Sequence, residues 1–308
     1  MKLVGLLAGF FFSLGPLLSQ TPSVVTSLGY SNPKPVRVAP GQVITLFART
    51  QTILTQSVVA DGSTWPVTLG GFSVSLTQTF SHDPVSVPIF SVVPVESCAA
   101  VAPTTVCSGL TAITVQIPFE LVPNGPVSSR VPANFALLTI SDSNAPGQPI
   151  ALDAVGDQIH ILNSCDIPLN PQSGPCLPVF LHADGSIVSS ASPATVGESI
   201  TLQAYGLGYA DTQVVTGVPS PSPAPNVSGL AIDFRFGTDA AATRPGSSAP
   251  TFPAQLVPGS IGLYRLTFPA PALPAGTPAC SAVTNNLTVV IGRSSSFDGA
   301  SLCLQNQQ

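Results

Sequence analysis

The sequence predicts an all-β protein in which one sandwich- or barrel-like unit is used twice behind a cleavable leader. Three observations carry that expectation: short bursts of alternating apolar and polar residues, a proline content hostile to long helices, and segments that occur twice in the same order. Alternation is seen at Val43-Ile44-Thr45-Leu46-Phe47, Phe72-Ser73-Val74-Ser75-Leu76, Ile113-Thr114-Val115-Gln116-Ile117 and Phe135-Ala136-Leu137-Leu138-Thr139-Ile140. Each burst is bounded by Gly, Pro, Asn or Asp, which marks a half-buried strand with one face toward a core. The 33 prolines are about twice the usual share and exclude long uninterrupted helices. Pro118 and Pro269 stand where a strand must stop pairing.

The repetition is most visible in "ITVQIPFELVPNG" from Ile113 and "YRLTFPAPALPAG" from Tyr264, 151 positions apart. Pro40 to Ala48 matches Val196 to Ala204, Gly71 to Leu76 matches Gly229 to Phe234, and Asn134 to Leu138 matches Asn286 to Val290. Matched segments in one order with drifting offsets mean one fold used twice with loop insertions. This alignment places Ile44 with Ile200 and Val115 with Leu266 in equivalent core strands.

At the N-terminus, Met1-Lys2 precedes an apolar run from Leu3 to Phe12 and a short polar exit ending near Ser19. That is the pattern of a secretory leader, and it is too short for a lasting membrane span. The expected organisation is therefore a leader over residues 1–19, a first sandwich over 20–164, a stapled linker over 165–177 and a second sandwich over 178–308. No second apolar run has the length of a membrane-crossing helix, although mean hydropathy is +0.43. The expected location is outside the cell or on its surface.

Charged residues are only 7% of the chain, so the surface must be solvated largely by hydroxyls, amides and backbone. With nine Lys and Arg, no basic run and a net charge of −5, the sequence offers no footprint for nucleic acid and none for acidic polymers. A surface protein or a polysaccharide is the expected kind of partner.

Six cysteines in an exported chain are expected to be oxidised, and six allow fifteen pairings. Position favours Cys98 with Cys107, Cys165 with Cys176 around the Pro- and Asn-rich linker, and Cys280 with Cys303 near the C-terminus.

As a set, Ala39-Pro40-Gly41, Gly70-Gly71-Phe72-Ser73-Val74 and Gln116-Ile117-Pro118-Phe119-Glu120-Leu121 resemble the Solibacter-type C-terminal domain of secreted bacterial proteins. "HADGSIVSSASPATVGESITLQAYGLG" from His182 and "LVPGSIGLYRLTFPAPALPAG" from Leu256 resemble it more closely still. The resemblance covers nearly all of the chain beyond the leader. It implies an immunoglobulin-like or TIG-like sandwich on an exported protein, with no assigned activity.

Candidate chemistry is sparse. His82, His160 and His182 are scattered, and no three or four metal ligands stand at a metal-binding spacing. His160 lies in an alternating strand, and Asp184-Gly185 reads as a turn. No nucleophile elbow, zinc-protease signature or phosphate loop is present. Glu120 and Asp233 are isolated carboxylates, and a glycosidase pair could be assembled only by distant folding. No cofactor and no catalytic residue is expected. Trp65, Tyr205 and Tyr209 are the aromatic residues placed for contact with a ligand at loop ends. The leading reading is a non-catalytic structural or adhesive protein; the alternative is a polysaccharide- or small-ligand-binding module using the end loops.

Overall fold

A computed structural model describes residues 24–27, 36–79, 81–95, 110–124, 135–143, 145–166, 176–238, 240–281 and 284–306. The expected leader, Cys98 and Cys107 lie outside the described residues. Among the described residues there is no helix. The first half contributes β1 (Val24–Ser27), β2 (Val36–Val38), β3 (Val43–Arg49), β4 (Val58–Val59), β5 (Thr68–Leu69), β6 (Phe72–Gln78), β7 (Ser81–Val87), β8 (Ile89–Pro94), β9 (Leu110–Gln116), β10 (Phe135–Asp142), β11 (Ala145–Pro146) and β12 (Ile150–Ala154). There follow β13 (His160–Ile161), β14 (Phe180–Leu181), β15 (Ala194–Thr195), β16 (Ser199–Tyr205), β17 (Asn226–Phe236), β18 (Thr251–Leu256), β19 (Tyr264–Pro269), β20 (Leu287–Gly292), β21 (Phe297–Leu302) and β22 (Leu304–Gln305).

Two sheets make the first sandwich. One has the order β1-β3-β9-β8-β4; the other has the order β2-β12-β10-β6-β5, with β7 and β11 added on β6 and β10. The chain passes from one layer to the other at Pro88, since β7 pairs with β6 and β8 pairs with β9. A residue without an N–H suits a corner where the ladder must end. Alternation then does what the sequence predicts: Leu46, Ile113 and Val115 from one layer meet Phe72, Val74 and Leu138 from the other. Each such side chain, removed from water, stabilises the fold by about 1.5–3 kcal/mol before entropy is subtracted.

The second half is built on a continuous path, β13-β16-β19-β18-β17-β20-β21, with β14 on β16. It doubles into two layers because the long strand β17 belongs to both. Asn226 and Val227 pair with β18, a bulge follows between Val227 and Leu230, and Ala231 to Phe236 pair with β20. A bulge bends a strand and increases its twist, which lets one strand turn a sandwich corner. The core inside includes Tyr264, Leu266 and Phe268 facing Ile232, Val289 and Ile291.

The strand order β3-β9-β8 and β6-β10-β12 in the first half recurs as β16-β19-β18 and β17-β20-β21 in the second. The residue correspondence differs from the sequence alignment in two places. Gly41 N and Ile117 N bond to Ile117 O and Gln42 O, and the same pair of bonds joins Gly197 and Glu198 to Ala270, so Ile117 corresponds to Ala270. Ile44 faces Val115 while Ile200 faces Phe268, which makes Phe268, two positions on from Leu266, the counterpart of Val115. Likewise Ala136, Leu138 and Ile140 face the first core, whereas Leu287, Val289 and Ile291 face the second. Aligning Leu138 with Val290 therefore slips by one residue, and in a strand one residue exchanges the faces.

The expected boundary at residue 164 also moves. His160 and Ile161 pair with Tyr205 and Ala204, so β13 is part of the second sheet. Cys165–Cys176 joins two antiparallel segments that Asn163 and Pro178 also bridge, and Cys280–Cys303 joins the loop before β20 to the C-terminal segment.

Side chains and backbone cross between the halves. Gln116 Oε1 accepts Gly217 N at 2.7 Å, Phe119 N donates to Thr216 Oγ1 at 3.0 Å, and Thr216 Oγ1 donates to Glu120 Oε2 at 2.7 Å. Phe119 itself packs into the core of the second half. The approach is close enough that a Cβ on Gly262 would lie 2.5 Å from Gly41 O, and Gly262 has a φ of +64°. Only glycine tolerates both conditions together.

Candidate functional site

The path of the second sheet begins at β13 and ends at β21, and these two edges face one another. No backbone pairing joins them among the described residues. Side chains at alternate positions of the 296–298 segment take its place. Ser296 Oγ accepts Ile159 N at 2.8 Å, and Asp298 Oδ2 accepts Ile161 N at 2.8 Å. The spacing matches because both partners are extended, with every second N–H pointing across the gap. Below them Asp157, only 1% exposed, accepts Ser295 N, Ser296 N and the hydroxyls of Ser294 and Ser296. A buried carboxylate is tolerable when hydrogen bonds replace its water, and here four donors do so.

Side-chain bridging leaves a groove of about 500 Å³, a size that small ligands occupy, lined by residues 158–161 and 297–301 with Asn163, Cys176 and Pro178. His160 lies in it. Its Nε2 is 2.8 Å from Asp166 Oδ2, and its Nδ1 is 3.6 Å from Asp298 Oδ2. Burial is the largest influence on this imidazole and favours the neutral ring, but the hydrogen bonds and charges of Asp166 and Asp298 together outweigh it and hold the pKa at about 9. The ring is thus an imidazolium at neutral pH, linking Asp166, next to the Cys165–Cys176 disulfide, to β21.

A second histidine has the outline of a hydrolase relay. His182 Nδ1 is 2.5 Å from Glu198 Oε1, and Nε2 is 3.3 Å from Ser192 Oγ. Three details oppose that use. Nε2 is nearer to the Ser192 carbonyl, at 3.1 Å, than to the hydroxyl. Burial lowers the His182 pKa, but the bonds to Glu198 and the Ser192 carbonyl more than offset it and keep the ring protonated above its usual range. The residue after Ser192 is Pro193, which has no N–H for an oxyanion. Glu198 also accepts Thr195 N at 2.9 Å, so the group ties the 182–198 segment together.

The residues singled out in the sequence are dispersed. Trp65 is half-buried; its N donates to Gly217 O across the joint, and its ring centre is 5.0 Å from that of Phe90. Tyr209 is 46% exposed, and its hydroxyl donates to Leu121 O, also across the joint. Tyr205 sits opposite His160 in β16, where burial and, less, the charge of Asp166 push its hydroxyl up to about 12. Glu120 is at the joint, and Asp233 pairs with Arg235 at 2.7 Å. The side chain of His82 lies outside the described residues. No group of three or more His, Cys, Asp and Glu arranged to hold a metal occurs among the described residues. Sequence reasoning passed over Asp157, Asp166 and Asp298; scarcity of charge was the available signal, since every acid in such a chain is conspicuous.

No protein-family profile matches the chain, and no curated protein matches it. Among solved structures, the titin A168–A169 substructure is 11% identical over 89% of this chain and 94% of that one, at a TM-score of 0.20. The C-terminal domain of the Streptococcus agalactiae AgI/II polypeptide BspA is 10% identical over 89% and 96%, at a TM-score of 0.16. At such scores the likeness carries no argument about this chain, whose all-β sandwich architecture stands on its own strand pairing.

Proposed function

We propose that the chain is a non-catalytic exported protein, made from a duplicated immunoglobulin-like unit, with a structural or adhesive role at or outside the cell surface. The observation that carries this reading is the joint: hydrogen bonds join Trp65, Gln116, Phe119, Glu120 and Leu121 to residues 209–217 of the other half. Crossing bonds of this kind hold two sandwiches at one angle, as a spacer or a presenting scaffold needs. The leader-like N-terminus, the two disulfides and the resemblance to the Solibacter-type domain of secreted proteins support export. Complementing a deletion strain of the source cell tests it. Wild type and Ser192→Ala should both restore surface attachment or envelope integrity, with oxidised protein outside the cytoplasm. Reduced protein confined to the cytoplasm, or a requirement for the Ser192 hydroxyl, would overturn the proposal.

A second reading, binding of a polysaccharide, is favoured by the groove beside His160, which joins a half-exposed aromatic ring, Phe297, to side chains that bond hydroxyls.

A further inference from the structure

The two disulfides among the described residues present unlike surfaces to a reagent. Cys303 is 3% exposed and stands between the buried Leu302 and Leu304. Cys165 and Cys176 are both exposed, and Cys176 lines the groove between β13 and β21. Thiol–disulfide exchange requires a thiolate to reach a sulfur, so access separates the labile bond from the inert one.

The neighbours of the exposed bond show what it fastens. Ser164 N donates to Leu177 O at 2.8 Å, and Leu177 N donates to Ser164 Oγ at 3.0 Å, so the two segments are paired as far as Ser164. Beyond that point Cys165 N bonds to Asn163 Oδ1 and Asp166 N to Asn163 O, contacts made within one turn. Among the described residues no hydrogen bond joins Cys165 or Asp166 to residues 176–179, which leaves the S–S bond as their tie. Asp166 Oδ2 accepts both Asn163 N and His160 Nε2 at 2.8 Å, and His160 reaches Asp298 of β21 on its other side. A line of contacts thus runs from the disulfide through Asp166 and His160 to β21.

We propose that Cys165–Cys176 is a thiol-exchange site, opened by an external dithiol while Cys280–Cys303 stays oxidised, and that opening it loosens Asp166 at the groove between β13 and β21. A thiolate of the dithiol attacks one sulfur, forming a mixed disulfide and expelling the other cysteine as a thiolate that takes up a proton. The second thiol, deprotonated, attacks the reagent's own sulfur in the mixed disulfide and frees the remaining cysteine. Two electrons and two protons pass to the protein, and the dithiol leaves as its own disulfide. Asp166 then keeps only the bonds of its turn, and burial draws the His160 ring toward the neutral form. The bonds from Ile159 to Ser296 and from Ile161 to Asp298 do not involve the disulfide, so the sandwich stays closed around its core.

The test exposes the full chain beyond its leader to dithiothreitol and, separately, to a reduced Cys-x-x-Cys oxidoreductase, alkylates at intervals and maps the labelled peptides. Cys165 and Cys176 should be labelled on the order of tenfold sooner than Cys280 and Cys303. Opening in both arms admits a protein dithiol as the source; opening by dithiothreitol alone assigns exchange to small dithiols. On opening, amides of residues 158–161 and 297–301 should shift and the His160 pKa should fall by roughly one unit, both reversing on reoxidation. Cys165→Ser with Cys176→Ser should show those shifts without reagent, and Cys280→Ser with Cys303→Ser should keep the response. If the latter variant folds poorly, the order of labelling in the unaltered protein decides. Simultaneous labelling of the two bonds, earlier labelling of Cys280 and Cys303, or opening that leaves His160 and the groove amides unchanged would overturn the proposal. So would loss of folded amide dispersion when Cys165–Cys176 alone is open.

Discussion

Asp298 Oδ2 receives the backbone N–H of Ile161 at 2.8 Å and lies 3.6 Å from His160 Nδ1, so a single carboxylate oxygen serves two neighbouring residues of the opposite edge. The seam between β13 and β21 is closed by side chains where a ladder would otherwise run. Asp298→Ala should cost about 1–3 kcal/mol, because the Ile161 amide is left without its acceptor. Asp298→Asn keeps an acceptor and should cost less, while lowering the pKa of His160. Urea unfolding of both variants, with an NMR titration of His160, checks this; equal losses in the two would show that the amide contact is not what matters.

The same cluster makes stability depend on pH. The folded pKa of His160, about 9, lies above the unfolded value near 6.5. Protons are then held more tightly in the native state, so the contribution is fully present below about pH 6.5 and is lost as pH rises through about 9. The loss amounts to roughly 3 kcal/mol at most. His182, also shifted upward, adds a loss of the same sign. Stability measured from pH 6 to 9.5 should decline, and the decline should shrink in Asp166→Asn with Asp298→Asn. A flat profile in the unaltered protein would refute the charged state assigned to His160.

Much of the architecture was legible in the sequence because period-two alternation and proline punctuation are local. Ile44, Leu46, Ile200 and Leu202 could be placed on core faces from their neighbours alone. Register was less legible: Leu138 and Val290 are both buried, but only Leu138 faces the core of its own half, and nothing in their composition distinguishes the faces. The groove was not legible at all. Asp298 is 138 positions from His160, so their meeting depends on the curl of the sheet. Trp65 and Tyr209 carried a real signal, large amphipathic side chains near turns, but the surface they serve belongs to the protein itself.

The disulfides should differ in consequence more than in size. Cys165–Cys176 and Cys280–Cys303 span 11 and 23 residues, for which chain entropy gives about 3 kcal/mol each. Replacing Cys165 and Cys176 by Ser should also loosen Asp166, which is next to Cys165, and lower the His160 pKa. Replacing Cys280 and Cys303 should leave that pKa unchanged. Peptide mapping without reduction should recover both pairs and, in addition, a fragment joining Cys98 to Cys107. A fragment joining Cys98 or Cys107 to Cys280 or Cys303 would contradict the whole set.

The fit between β16 and the chain entering the second half is expected to be the least tolerant point in the molecule. Gly206 has a φ of +75°, and a Cβ there would stand 1.9 Å from Gln158 O, an atom of the backbone that also accepts no relief from a rotamer change. Gly276 has a similar φ, +85°, with nothing within 4 Å of a Cβ. Comparing the two alanine variants separates conformational strain from collision. Gly276→Ala should cost about 1 kcal/mol through φ alone. Gly206→Ala adds an overlap that only movement of β13 can remove, and moving β13 breaks Gln158 N to Gly206 O and disturbs both bridges from residues 296 and 298. Its loss should exceed 3 kcal/mol, with amide exchange accelerated at Ile159 and Ile161. Equal destabilisation of the two variants would mean that β13 is not held against β16 as closely as its hydrogen bonds require.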